Sequence, residues 1–394
     1  MKTLSSLIAG FSPALSILPL RVAFPLLCLG ASLTLGQHGA CAGFTFSASG
    51  SLGTARAYHT ATLLTDGRVL VAAGSDGTQS LTSAELYDPA TGTFIETGSL
   101  VVGRYRHSAT LLLSGQVLVA GGLGNERNTS VASAELYDPA TGIWTETGSL
   151  ADPRSAHTAT LLPDGRVLVT GGGITDGGGA LTTAEIYDPV TGTWTATGSL
   201  AEARFRHSAT LLLNGLVLVE GGKTNAGGIA LASAELYDPA TGLWMATGSM
   251  ATPRFRQTAT LLPDGKVVVA GGYGLNLIIL SSAEIYDPAT GLWTSTGSMA
   301  SKRAEFTATL LNGRVFVAGG QAGPKRTTEF YVPARGTWSS TGDLIDARSA
   351  HSATLLPDMT ILIAGGFGVE PPALFPATID HAALASAELG ARQR

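Results

Sequence analysis

"SAELYDPATGIWTETGSL", residues 133–150, returns as "TAEIYDPVTGTWTATGSL" at 183–200 and as "SAELYDPATGLWMATGSM" at 233–250. Its tyrosine recurs as Tyr87, Tyr137, Tyr187, Tyr237, Tyr286 and Tyr331, at intervals of 50, 50, 50, 49 and 45 residues. A second phrase precedes each copy. It reads "RHSATLLLSGQVLVAGG" at 106–122, "AHTATLLPDGRVLVTGG" at 156–172 and "AHSATLLPDMTILIAGG" at 350–366, and it occurs seven times, beginning at Tyr58. A fixed period near fifty residues marks a chain built from one supersecondary unit repeated.

Each unit parses into four strands. "SATLL" and "RVLVAGG" flank Asp66–Gly67, Asp164–Gly165 and Asp264–Gly265, with Asn214–Gly215 and Asn312–Gly313 in other units. Asp-Gly or Asn-Gly between apolar runs predicts a hairpin with a two-residue type I′ turn, whose central residues both take positive φ. "SAELYDP" and "TWTATGSL" form a second hairpin around Asp-Pro-Ala-Thr-Gly. There Asp accepts backbone N–H bonds, Pro sets φ and Gly takes the left-handed position. The Gly-Gly after the second strand permits close backbone approach where sheets crowd.

A four-stranded unit of this size cannot bury both faces alone, so the units stack face to face in a ring. The expected fold is all-β, a seven-bladed propeller of four-stranded antiparallel blades. The last unit stops at "SAEL" (386–389), before any fourth strand. "FTFSASGSL" (44–52) aligns with "IWTETGSL" and places Phe46 where other units carry Trp. The N-terminal strand is therefore expected to complete the C-terminal blade, leaving no free sheet edge.

With the Gly-Gly pair, the third-strand Tyr and an aromatic seven residues after it (Phe94, Trp144, Trp194, Trp244, Trp293, Trp338) in view, the chain resembles the kelch-repeat β-propellers. The resemblance spans essentially all of residues 44–394 and extends more distantly to the propeller of galactose oxidase. That enzyme family's radical copper site needs a Cys cross-linked to a Tyr.

The first 42 residues read as an export signal. Lys2 and Arg21 are their only charges, "VAFPLLCLGASLTLG" (22–36) is the apolar run, and Ala40 and Ala42 are the small residues preceding a cleavage site. The expected organisation is a signal peptide over 1–42 and a propeller over 43–394, with an uncleaved anchor as the alternative. Cleavage would remove Cys28 and Cys41, leave no thiol for the copper–radical site, and take the net charge from −5 to −7. A secreted, periplasmic or cell-surface monomer is the expectation, without a membrane span after cleavage. Only 13% of residues are charged and the balance is acidic, which argues against nucleic acid as a partner.

Seven arginines open the first strands (Arg56, Arg104, Arg154, Arg204, Arg254, Arg303, Arg348) and seven glutamates stand in the third (Glu85, Glu135, Glu185, Glu235, Glu284, Glu329, Glu388). One pair per blade predicts a structural, bidentate ion pair. His59, His107, His157, His207 and His351 occupy one repeat position that is Gln257 and Phe306 elsewhere, so each is expected to make one local hydrogen bond. No metal and no cofactor are expected. "NTS" at Asn128 matches a glycosylation triplet by pattern.

Function is sought where repeats differ. The loops between second and third strands vary freely, which points to a binding surface on their face. Three units carry a second Arg beside an aromatic, in "RYRH" (104–107), "RFRH" (204–207) and "RFRQ" (254–257). The candidate ligand-binding residues are Arg106, Arg206 and Arg256 with Tyr105, Phe205 and Phe255. Glu220, where other units have Ala or Thr, and the nearby Lys223 join them as polar groups expected at the mouth. Guanidinium groups and aromatic faces suit an anionic or sugar-like ligand. The expected function is an exported, non-catalytic protein- or glycan-binding module. The resemblance also admits a carbohydrate-active enzyme of the sialic acid mutarotase type, with Glu220 as base and Arg206 or Arg256 as anion clamp, or a purely structural ring.

Overall fold

In a computed structural model, the structure describes residues 43–125, 129–224, 229–321, 325–368 and 382–392. Residues 1–42, with both cysteines and the expected export signal, and Asn128 of the glycosylation triplet lie outside the described residues. Seven four-stranded antiparallel sheets form the blades. In the first blade the strands run outward as Thr60–Leu63, Val69–Ala72, Ala84–Asp88 and Thr93–Thr97. First strands of successive blades contact one another around the ring.

Burial follows strand position. Second strands are buried and mostly apolar, as in "VLVA" of Val69–Ala72, with Thr170 and Glu220 as polar exceptions, because blades pack on both of their faces. Fourth strands keep their aromatic half-buried or buried between exposed neighbours, apolar ones such as Ile143 and Leu243 among them. Each apolar cluster spans two blades: Leu162, Leu168 and Ile186 of one meet Val217, Val219 and Tyr237 of the next. The core is thus a set of wedges between sheets, and no blade has one of its own.

The seventh blade joins the chain's two ends. Phe44–Ala48 pairs with Ala387–Arg392 beside Ile361–Ala364 and Ser352–Leu355. Phe46 faces Gly390 in the register that sets Trp144 against Tyr137 elsewhere. Gly390 stands at the tyrosine position without a side chain, and Phe44 and Phe46 fill the space: a Cβ there would lie 2.4 Å from Phe44 and 2.5 Å from Phe46. With Phe316 and Phe330 they form an aromatic cluster at the seam, ring centroids 5.1–6.1 Å apart.

The Asp-Gly turns differ from the expected type I′. Only the glycines (Gly67 φ 88°, Gly165 φ 89°, Gly265 φ 84°) are left-handed. Leu64 accepts from Gly67 N–H at 3.1 Å and donates to the Arg68 carbonyl at 2.8 Å, the pattern of a type I turn closed by a glycine bulge. Asn214–Gly215 behaves likewise. Asn312 and Gly313 alone among these pairs both take positive φ (51° and 73°), and there the strands pair up to Leu311 and Arg314. The outer turns match expectation: Asp88 Oδ1 accepts from Ala90 N–H at 2.8 Å, and Gly92 has φ 69°.

All seven Arg–Glu pairs form, with N···O distances of 2.6–3.0 Å and every arginine fully buried. They are not bidentate. One carboxylate oxygen takes the guanidinium, and the other accepts a backbone N–H from the linker entering the blade, as Glu85 does from Gly53 at 2.7 Å. The second guanidinium nitrogen donates to two carbonyls, Ala73 and Ser83 for Arg56. Each arginine thereby ties together two carbonyls where the second strand ends and the third begins; the Ser83 carbonyl also accepts from Ala73 N–H at 3.0 Å.

Candidate functional site

One residue per blade lies between the buried arginine and the first strand: Tyr58, Arg106, Ala156, Arg206, Arg256, Glu305 and Ala350. All seven have φ between 49° and 56°. Each N–H donates to the carbonyl of its counterpart in the preceding blade, at 2.8–3.4 Å, and Tyr58 closes the circle on Ala350. Non-glycine residues persist in this left-handed conformation because the ring of hydrogen bonds over-determines it. They line a cavity of about 300 Å³ on the face of the variable loops.

The ring carries three arginines against one glutamate. Arg256 pairs with Glu305, whose Oε1 also accepts from the Tyr58 hydroxyl at 2.8 Å. Arg106 and Arg206 share Asp176, which Arg206 reaches at 2.9 Å. Asp176 sits at the tip of a small hairpin, Gly173–Thr175 with Gly178–Ala180, formed by the glycine-rich loop of the third blade. Arg206 Nε and Glu305 Oε2 have no hydrogen-bond partner. The Arg106 guanidinium lies 4.3 Å from the Tyr58 ring centroid.

Tyr105, Phe205 and Phe255 occupy the preceding repeat position, each bridging to the residue after Gly-Gly: Leu123, Lys223 and Tyr273. Phe205 and Phe255 are buried beneath the mouth, and Phe255 stacks on Tyr273 at 5.2 Å. Lys223 lies between them, its Nζ 5.2 Å from the Phe205 centroid and 5.1 Å from that of Phe255. Arg206 shares the Phe205 ring at 5.3 Å.

Charge crowding is visible in the titration of the site. Burial, together with the Arg106 charge, brings Arg206 down to about 10. Burial and the charges of Arg106 and Arg206 bring Arg256 down to about 9, although Tyr58 and Tyr273 oppose the shift. Burial and all three arginines lower Lys223 to about 8. Burial opposes ionisation of Tyr58, but Arg106, Arg256 and Arg206 outweigh it and bring the hydroxyl below its ordinary value.

Glu220 is not at the mouth. Its side chain is fully buried between the fourth and fifth blades, where most units carry Ala, and it forms no ion pair with Lys223. The Ser208 hydroxyl, opposite it in the strand register, is the neutral hydrogen-bonding group beside its carboxyl. Burial pushes its pKa well above the carboxylate range, against the opposing fields of Arg204 and Arg254. The histidines are interblade ties: His107 Nε2 meets Thr60 and His157 Nε2 meets Ser108, both at 2.9 Å. Burial brings His59 and His157 to about 3, so they stay neutral. Among the described residues, no cluster of three or more His, Cys, Asp or Glu suits a metal ion.

Sequence reasoning brought Arg106, Arg206 and Arg256 to one mouth but did not select Tyr58, Glu305 or Asp176. The first two share the arginines' column in the repeat alignment, and that column was the available signal. Asp176 lies in a loop with no counterpart in other units.

The sequence matches the kelch motif over residues 56–100, 104–151, 154–200 and 254–300. The chain is thus a seven-bladed β-propeller that carries kelch motifs. No curated protein sequence matches it. Among solved structures it is similar to a fungal alcohol oxidase of the AA5 family in complex with copper: TM-score 0.67, 19% identity, covering 90% of this chain and 77% of that one. It is also similar to YjhT: TM-score 0.59, 14% identity, covering 74% of this chain and 99% of that one. At these identities the likeness is one of fold.

Proposed function

We propose that the protein is an exported binding module that takes an anionic ligand, a carboxylate-bearing sugar or glycan, at the mouth of the ring. The observation carrying this reading is the charge inventory there: among the described residues, Arg106, Arg206 and Arg256, with Lys223 beside them, have Glu305 and Asp176 as their ion-pair partners. Cations crowded this closely are stabilised by an incoming anion, and planar guanidinium groups match a carboxylate. Tyr58 and Tyr105 offer faces for an apolar side of a sugar ring. A second reading, an enzyme of the sialic acid mutarotase type, is favoured by Glu305, a mouth carboxylate held between Arg256 and Tyr58 where it could move a proton; Glu220 is too buried for that role.

The test is thermal shift of the 43–394 protein with N-acetylneuraminate and glucuronate against neutral galactose. A ligand at 100 times its Kd stabilises by about 2.7 kcal/mol. The acidic sugars should raise Tm, and Arg206→Ala/Arg256→Ala should abolish the shift. Equal shifts with galactose, or none with any sugar, would remove the anionic-sugar reading.

A further inference from the structure

We propose that Lys223 is an amine nucleophile that captures a carbonyl-bearing anion as a reversible imine at the edge of the mouth. This rests on the anion-binding reading above and adds the ligand's reactive group. The ammonium is held between the faces of Phe205 and Phe255. The residue is 7% exposed and has no carboxylate partner among the described residues. Lysines in proteins are rarely buried without an acid to pair with, and this one instead shares the Phe205 ring with a second cation, Arg206.

Lys223 also lines a cavity of about 290 Å³ beside the mouth, with Ile229, Phe255, Leu275 and Leu277. Leu277 is left-handed at φ 59° and two-thirds exposed, so this apolar wall is presented at some backbone cost. A ligand whose carboxylate meets the arginines would bring an adjacent carbonyl toward Lys223 and an apolar substituent into this cavity. An α-keto acid with an aromatic or aliphatic side chain has those three parts in that order.

The chemistry needs no oxidant and no further reactant. The ammonium first gives up a proton to solvent, the neutral amine attacks the carbonyl carbon, and one amine proton passes to the oxygen to give a carbinolamine. The proton first released returns to the hydroxyl, which leaves as water, so that C=O is exchanged for C=N and the ammonium charge survives as an iminium next to the ligand's own carboxylate. A lysine desolvated and crowded by cations is the kind that reacts this way, because it holds a free lone pair near neutral pH. With Lys223 near 8, on the order of a hundredfold more of it is free amine at pH 8 than of an ordinary lysine.

Phenylpyruvate with sodium cyanoborohydride at pH 8 tests the proposal on residues 43–394, read by mass spectrometry of tryptic peptides. Reduction of the imine adds hydride to carbon, fixes the adduct and blocks cleavage at Lys223, giving one peptide over residues 207–254. Labelling there should exceed that of Lys266, Lys302 and Lys325 by at least about tenfold. It should vanish in Lys223→Met and Lys223→Arg, with their melting temperatures checking the fold. Binding of phenyllactate, which lacks the carbonyl, is measured in parallel. Phenyllactate binding that needs Arg206 and Arg256, with no excess label at Lys223, overturns the imine and leaves the anion site standing. Excess label without arginine-dependent phenyllactate binding overturns the anion reading and, with it, the proposed placement of the carbonyl. Uniform labelling of all lysines with no binding overturns both.

Discussion

At the scale of single residues, two arginines of one blade that are close in sequence meet different surroundings. Arg104 and Arg106 are two residues apart, yet the first is fully buried on Glu135 and the second opens onto the mouth, because Arg106 adopts a left-handed turn. Removing one partner of a buried pair leaves an uncompensated charge, so Glu135→Ala should cost about 3–5 kcal/mol in urea unfolding. A loss under about 1 kcal/mol would mean the backbone bonds of Arg104 hold the blade by themselves.

Glu220 gives the opposite expectation. Its folded pKa lies well above its unfolded value, so the folded state favours the protonated form. The penalty is absent below the ordinary carboxylate pKa near 4.5 and grows as pH rises toward the folded value. Glu220→Ala, which restores the residue of most other blades, should stabilise the protein by about 1–3 kcal/mol at pH 8 and by less at pH 5. A gain that is larger at pH 5 would contradict this assignment.

At the scale of elements, the seam decides whether seven wedges form a closed ring. Phe44–Ala48 provides the outer strand of the last blade and, through Phe44 and Phe46, half of an aromatic cluster whose other rings, Phe316 and Phe330, belong to the sixth. Deleting residues 44–52 removes that strand and exposes the edge of Ala387–Arg392. The expected result is a fall in Tm large enough to lose the cooperative transition seen by circular dichroism. Phe44→Ala by itself should cost about 3–5 kcal/mol. An unchanged melting curve for the deletion would show that the ring closes through the inner three strands.

Across the whole molecule, the chain is acidic, with net charge −5, while its mouth is cationic. That separation follows from the ring: one column of the repeat converges on the axis, so three substitutions scattered over 150 residues act as one field. Anion affinity at the mouth should weaken with added salt, since screening shortens that field. It should also fall as pH rises through about 8, where Lys223 loses charge while the guanidinium groups keep theirs. The sign follows from linkage, because an anion binds the protonated lysine more tightly than the neutral one. Titration calorimetry with N-acetylneuraminate at pH 6.5 and 9.5 measures it, and equal affinities would rule out Lys223 as an anion partner.

The period, the four strands, the blade count and the closure by Phe46 were all legible in the sequence, because seven near-identical units expose turn chemistry and hydrophobic alternation by their repetition. The Arg–Glu pairing was legible for the same reason, though not its geometry, since the backbone acceptors that divert the guanidinium appear only once the strand ends meet. Arg106, Arg206 and Arg256 could be read as one cluster because they share a column. Asp176 could not, since a unique loop has no column and its reach depends on how the small hairpin folds over the ring. Glu220 shows the limit most plainly. Strand alternation assigns a residue to one face or the other, but in a propeller both faces of a second strand are interior, and only the packing of two blades decided that this carboxyl would be buried rather than open to a ligand.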